Sequence, residues 1–249
     1  MQMVESRDRC TRHFAIDHYG VAMELRDALR TTNAVREFQE VDIPDDTLFD
    51  ILDDARFAPS GGNRQAWHVI VLDDASLRAR LQELYLDGWY DYVAHLLAGL
   101  VPFSPLASEE DRHVALTKRA EAESAVHFHD FAQSLVRVPR LLVVTADIGS
   151  LAAVDRDLGR YTIAGGASIY PFVWQILLAA RERGIGGVMT TMATRNEPAV
   201  REVLNVPADH AIAAVVALGY PVRTLQKLTR RPVASFTTRD QFNGPAFEG

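Results

Sequence analysis

Apolar residues recur at two periods along this chain, and the change from one to the other marks its elements. The first 20 residues are polar and aperiodic, and we expect a mobile tail. "VAMELRDALR" then repeats Ala22, Leu25 and Leu29 at helical spacing. Pro44, Asp45 and Asp46 suit the first turn of a second helix, whose Leu48, Ile51, Leu52 and Ala55 share one face. Gly61 and Gly62 close that region, and "WHVIVL" reads as a strand. Residues 76–100 predict a helix carrying Tyr85, Trp89, Tyr90 and Tyr92. A loop with two prolines follows, and 109–136 again reads as helical. "LLVVTADI" is β-branched enough for a buried strand. Residues 166–183 hold Ile169, Phe172, Val173, Ile176, Leu177 and Ala180 on one helical face. "GIGGVMTT" predicts a short strand and "AIAAVVALGYP" the last core strand. No repeat, linker or low-complexity tract divides the chain, so a single domain over 21–249 is expected.

Composition narrows the function classes. The chain has 249 residues, 48% of them hydrophobic, enough for a sizeable core. A formal charge of -7 argues against general nucleic-acid affinity, which needs a basic surface. Cys10 stands alone, so neither an internal disulfide nor a cysteine-based zinc site is available. No apolar run approaches the roughly 18 residues of a membrane helix, and the charged start lacks a signal-peptide core. A cytoplasmic protein is expected.

Several familiar sites are missing. There is no GxGxxG after a strand, no P-loop and no GxSxG elbow. His127, His129 and Asp130 invite a metal reading, but residues two apart on a helix face different ways. Two ordinary helix-surface histidines are the better reading. What remains is small-residue loops and scattered arginines. Arg30 and Arg36 flank "TTNAV", while Arg230 and Arg231 lie near the end. A guanidinium is planar, permanently charged and suited to phosphate. Ser60, Gly61 and Gly62 would let a flat heterocycle approach the backbone. Asn63 and Gln65 both donate and accept, as a ring edge with C=O and N–H requires. Pro59 fixes a turn and offers an apolar edge. The combination suits a planar, hydrogen-bonding ring with a phosphate tail.

"AVREF…IPDDTLFDILDDARFAPSGGNRQAWHVIVLDD" resembles the N-terminal signature of the nitroreductase superfamily. "GASIYPFVWQILLAARERGIGGVMTT" resembles that family's central helix and Gly-rich flavin loop. "ALGYP" followed by "TRRP" resembles its closing strand and phosphate-binding tail. The likeness spans about residues 22–235 and is weakest over 76–135, where the family varies its substrate lid. It implies an α+β three-layer sandwich, with a central, mainly antiparallel sheet flanked by helices. It also implies bound FMN, reduced by NAD(P)H and reoxidised by a nitroaromatic, quinone or similar acceptor, and an intertwined homodimer with flavin at the interface.

Carried over by position, Arg36 falls on the second basic position of the first motif and is expected to contact the FMN phosphate or ribityl side. Thr32, Asn33 and Ala34 depart from the family's basic and serine positions, so the first phosphate contact lacks its usual cation; Arg30, or Asn33 as a neutral donor, would substitute. Pro59, Ser60, Gly61, Asn63 and Gln65 match the loop lining the isoalloxazine. Thr190 and Thr191 match the loop beside flavin N5 and O4, where a threonine hydroxyl would favour one-electron chemistry and a backbone donor hydride transfer. Arg230 matches the C-terminal phosphate arginine, with Lys227 assisting. No residue is assigned as catalytic acid or nucleophile. The same resemblance leaves open a specialised relative (a reductive dehalogenase or flavin-cleaving enzyme) and a flavin-binding protein without turnover. The aromatic group of 76–100 is read as buried against core or partner in preference to stacking on substrate.

Overall fold

The computed structural model describes residues 23–128, 130–225 and 227–248. The expected N-terminal tail, Ala22 and His129 therefore lie outside the described residues. In chain order come α1 (Leu25–Thr31), α2 (Asp45–Ala55), β1 (Trp67–Val71), α3 (Ala75–Leu97), α4 (Glu109–Thr117), α5 (Arg119–Ser124), α6 (Asp130–Ser134), β2 (Arg140–Asp147), α7 (Tyr170–Glu182), β3 (Gly186–Thr190), α8 (Glu197–Val203) and β4 (His210–Gly219).

The four strands lie in the order β1-β2-β4-β3, and every neighbouring pair is antiparallel. Beyond β3, Ala34 makes a parallel bridge to Gly187, and the Val35 N–H donates to the Gly187 carbonyl at 2.9 Å. β2 and β4 are central strands. Both of their faces are buried, which is why they read as unbroken apolar runs.

Side-chain alternation sorts the helices into two layers. Leu142, Val144, Val216 and Leu218 pack with Ile51 of α2 and Val173 and Ile176 of α7. Leu141, Val143, Val215 and Ala217 point the other way, to Leu81 and Tyr85 of α3, Ala132 of α6 and Val200 of α8. The protein is thus an α+β three-layer sandwich.

Four local expectations are corrected. The stretch 109–136 is not one helix but three short helices and two 3-10 turns, because apolar content alone does not sustain a helix whose face changes direction. His127 accordingly sits in a 3-10 turn, not on a helix. The 166–183 helix starts at Tyr170, with Pro171 in its first turn, and 164–168 form a tight 3-10 turn before it. α8 went unread, its seven residues being too short for a periodic signal. Finally, α1 buries Ala28, while Leu25 and Leu29, the periodic pair, stay 69% and 52% exposed. Helical spacing marks a shared face but not what covers it.

Tyr85, Trp89 and Tyr92 pack as a stacked series against the second layer, Trp89 and Tyr92 with ring centroids 5.0 Å apart. Arg119 stitches α5 to α3 through Asp87 and Asp91 and lies 5.2 Å over the Tyr90 ring.

Candidate functional site

The two groups of residues singled out from the sequence lie on opposite edges of the sheet. At the β1 edge the chain leaves α2 through Pro59 and turns at Ser60–Gln65. Gly62, Asn63 and Gln65 have φ of 62°, 53° and 50°, the left-handed region that glycine and asparagine enter at least cost. The bend is pinned from within and without. The Asn63 N–H donates to the Ser60 carbonyl at 2.9 Å, and the Gln65 N–H to Ser60 Oγ at 3.0 Å. The Gly61 N–H reaches Ser168 Oγ, in the turn before α7, at 3.1 Å. A methyl at Gly61 would stand 3.3 Å from that Oγ, so glycine allows the approach. Behind the bend, Trp67 stacks on Phe172 of α7 with centroids 4.6 Å apart and rings within 2° of parallel. Pro59, Gly61, Asn63 and Gln65 remain exposed.

The bend rests on the loop that runs from β2 to α7. There Asp155, 4% exposed, accepts the Ile163 and Ala164 N–H groups and Arg160 Nη1. These donors, the Ile163 N–H first, pull its carboxyl pKa down from 3.8 to about 2. Ala152 of the same loop faces Gly61.

The β3 edge is different in kind. Thr190 ends β3, and its Oγ1 lies 3.0 Å from the hydroxyl of Tyr85, which is 1% exposed. Burial pushes the Tyr85 phenol pKa up, while the Thr190 hydrogen bond and the Arg36 charge oppose that shift. Arg36 is exposed and makes no ion pair among the described residues. Thr191 is exposed, and its carbonyl accepts from Thr194. Thr190 thus turns its hydroxyl toward the core, which the sequence alone did not indicate.

Further along this edge, Thr32 and Asn33 line a shallow cleft with Gly186, Gly187, Thr224 and Arg181 of α7. Thr32 is buried and spends its hydroxyl proton on the Ala28 carbonyl, at 2.7 Å. Its side-chain proton is thus committed within α1. Arg30 is exposed in the last turn of α1. Arg230 is exposed on the C-terminal tail, bonded to the adjacent Thr229 carbonyl.

Three contributors escaped sequence reasoning: Ser168, Arg181 and Tyr85 in its bonding role. Ser168 and Arg181 meet residues 107 and 150 positions away, and no local pattern announces such a contact. Among the described residues no group of three metal-ligating side chains forms, and no helix is long and apolar enough to cross a membrane.

The sequence model of the Nitroreductase family matches residues 29–220. A 4-nitrobenzoate reductase of Nocardioides sp. (strain LMS-CY) is 27% identical, over 88% of this chain and 87% of its own length. Among solved structures, a BluB-like flavoprotein of Clostridium difficile 630 superposes with a TM-score of 0.63 at 20% identity, covering 88% of this chain and 100% of that one. The NADPH:FMN oxidoreductase of Vibrio harveyi, solved with NAD+, gives 0.61 at 16% identity, over 88% and 77%.

Proposed function

The chain belongs to the nitroreductase family, and from that premise we propose that it is an FMN-dependent oxidoreductase carrying electrons from NAD(P)H to a nitroaromatic, quinone or similar acceptor. The observation that carries this reading is the outward-facing bend at Ser60–Gln65, rigid yet lined with unspent amide groups. Gln65 Nε2 makes only long bonds, 3.3 Å, to Asn63. A ring edge with alternating C=O and N–H would use those groups better. The donor set fits FMN on chemical grounds: neutral amides for the ring, a free guanidinium at Arg36, and further cations at Arg30, Lys227 and Arg230 for the phosphate. The names of the relatives, a 4-nitrobenzoate reductase and an NADPH:FMN oxidoreductase, agree.

When bound, FMN would supply the redox chemistry, accepting hydride from NAD(P)H and returning electrons to the acceptor. The chain's own part is to bind and orient. Asn63 and Gln65 would read the ring edge, and Arg36 would hold the phosphate or ribityl side. We assign no acid, base or nucleophile.

One copy leaves the bend at the β1 edge and Arg36 beyond β3 at the other, with the sheet between them. We infer that a second copy brings its bend to the first copy's β3 edge, making a homodimer with flavin at the interface. Exposed Leu25, Leu29, Phe49 and Trp174 on α1, α2 and α7 support this, since large apolar surfaces mark interfaces.

The test is direct. Purified full-length protein should be yellow, be bleached anaerobically by NADH or NADPH, and regain colour with 4-nitrobenzoate or a quinone. Protein that binds no added FMN overturns the reading. Bound flavin that neither nucleotide bleaches makes the chain a flavin carrier instead.

A further inference from the structure

Arg181 in the last turn of α7 and Arg183, the residue that caps it, have opposite surroundings. Arg183 is neutralised by Asp54 at 2.8 Å and Glu182 at 3.1 Å. Arg181, half-buried, has no acidic partner among the described residues. Its Nε donates to Thr31 Oγ1 at 3.2 Å. Thr31 can accept because its own proton goes to the Asp27 carbonyl, at 2.8 Å. That bond uses Nε, and Arg181 lines a cleft with Thr32, Asn33 and Thr224 beside the apolar Val35, Leu177, Ile185 and Pro221. The negative end of the α7 dipole favours a cation here, but it does not account for a partly desolvated guanidinium without an anion, which costs free energy until one arrives.

The cleft encloses only about 10 Å³, room for about one water-sized atom, so a phosphate would seat one oxygen in it and leave the rest at the mouth. The hydroxyl protons of Thr31 and Thr32 are both committed to α1 carbonyls. The side-chain donors of the cleft left without a hydrogen bond among the described residues are the Nη groups of Arg181, the Asn33 amide and the Thr224 hydroxyl. This is also the segment in which the chain lacks a basic residue, with Thr32-Asn33-Ala34 before Arg36.

We propose that Arg181 is a further phosphate-binding cation of the site, donated by α7 in place of the basic residue missing from positions 32–34, with Asn33 as its neutral partner. This rests on the FMN reading and adds to it a cation that favours FMN over riboflavin.

The experiment compares the two flavins on the full-length chain stripped of cofactor, by fluorescence titration. Charge-assisted bonds to one phosphate oxygen predict that Arg181→Gln weakens FMN binding about 10- to 100-fold and leaves riboflavin unchanged. Arg181→Lys should keep part of the preference, and Arg183→Gln all of it. Inorganic phosphate should raise the melting temperature of the unmodified protein more than that of Arg181→Gln. Equal loss of both flavins in Arg181→Gln means a structural role and overturns the proposal. So does an unchanged FMN-to-riboflavin ratio, or a change confined to the dimer dissociation constant, which would mean that Arg181 pairs with an acid of the second copy. A wild-type chain that binds riboflavin and FMN equally well defeats this proposal and spares the flavin reading. One that binds neither defeats both.

Discussion

At the β1 edge the bend is held by neutral bonds and by ring stacking, whereas the β3 edge gathers charged groups whose partners are absent from the copy itself. Ser60, Ser168 and Trp67 spend their capacity on fixing shape. Arg36 and Arg181 spend almost none. One edge is fixed in shape by its own bonds; the other holds cations without ion-pair partners among the described residues. Shape must exist beforehand if a flat ring is to be recognised, because reordering a loop on binding costs affinity. Charge can wait, since an exposed guanidinium is solvated until an anion displaces its water.

The sharpest way to break this contrast is at Trp67. Trp67→Ala removes the stack on Phe172 and should cost about 3 kcal/mol of unfolding free energy, read by chemical denaturation. An effect under about 1 kcal/mol would mean that the bend does not depend on its backing.

Next comes the other edge. A methyl at Gly187 would lie 2.7 Å from the Ala217 carbonyl oxygen and 2.6 Å from Leu218 Cδ2. Gly187→Ala should therefore cost about 2 kcal/mol through overpacking and disturb the Val35–Gly187 bond. Hydrogen exchange at Val35 should rise while exchange at Gly61 stays unchanged. A rise at both would show that the edges are coupled through the sheet.

Ser168→Ala removes only the acceptor of the Gly61 N–H. About 1 kcal/mol should be lost, with faster exchange localised to the bend. In Tyr85→Phe the loss should be of similar size and localised to Thr190.

The smallest effect is one of pH. Asp155 titrates at about 2 in the fold against an ordinary 3.8. A carboxyl with a depressed folded value contributes stability that is complete above the unfolded value and vanishes as pH falls through the folded one. Acidification from pH 4 to 2 should speed exchange at Ile163 and Ala164. Asp155→Asn should already exchange fast at pH 4 and show little further dependence.

Much of this architecture was readable in advance, and the reason is local. β2, β4 and α7 carry apolar patterns that only a two-faced buried strand or a broad helical face can satisfy, and the antiparallel sandwich follows from the family resemblance those segments support. The bend at Pro59–Gln65 was equally legible, because glycine, asparagine and proline each demand a particular backbone state. By contrast, 109–136 is helical as read but broken into short pieces, because composition there does not encode where the chain must turn to follow the sheet. Leu25 and Leu29 failed because a helical face says nothing of what lies opposite.

Sequence reasoning thus reached the elements, the bend and the residue types suited to a phosphorylated ring. Three-dimensional packing settled which of those residues still have hydrogen-bonding capacity. Thr32 had lost its proton to α1, Arg181 had kept its charge unpaired, and the bend lay a full sheet away from Arg36. Such outcomes depend on neighbours more than a hundred residues distant, and strand order, which brings them together, leaves no periodic trace along the chain.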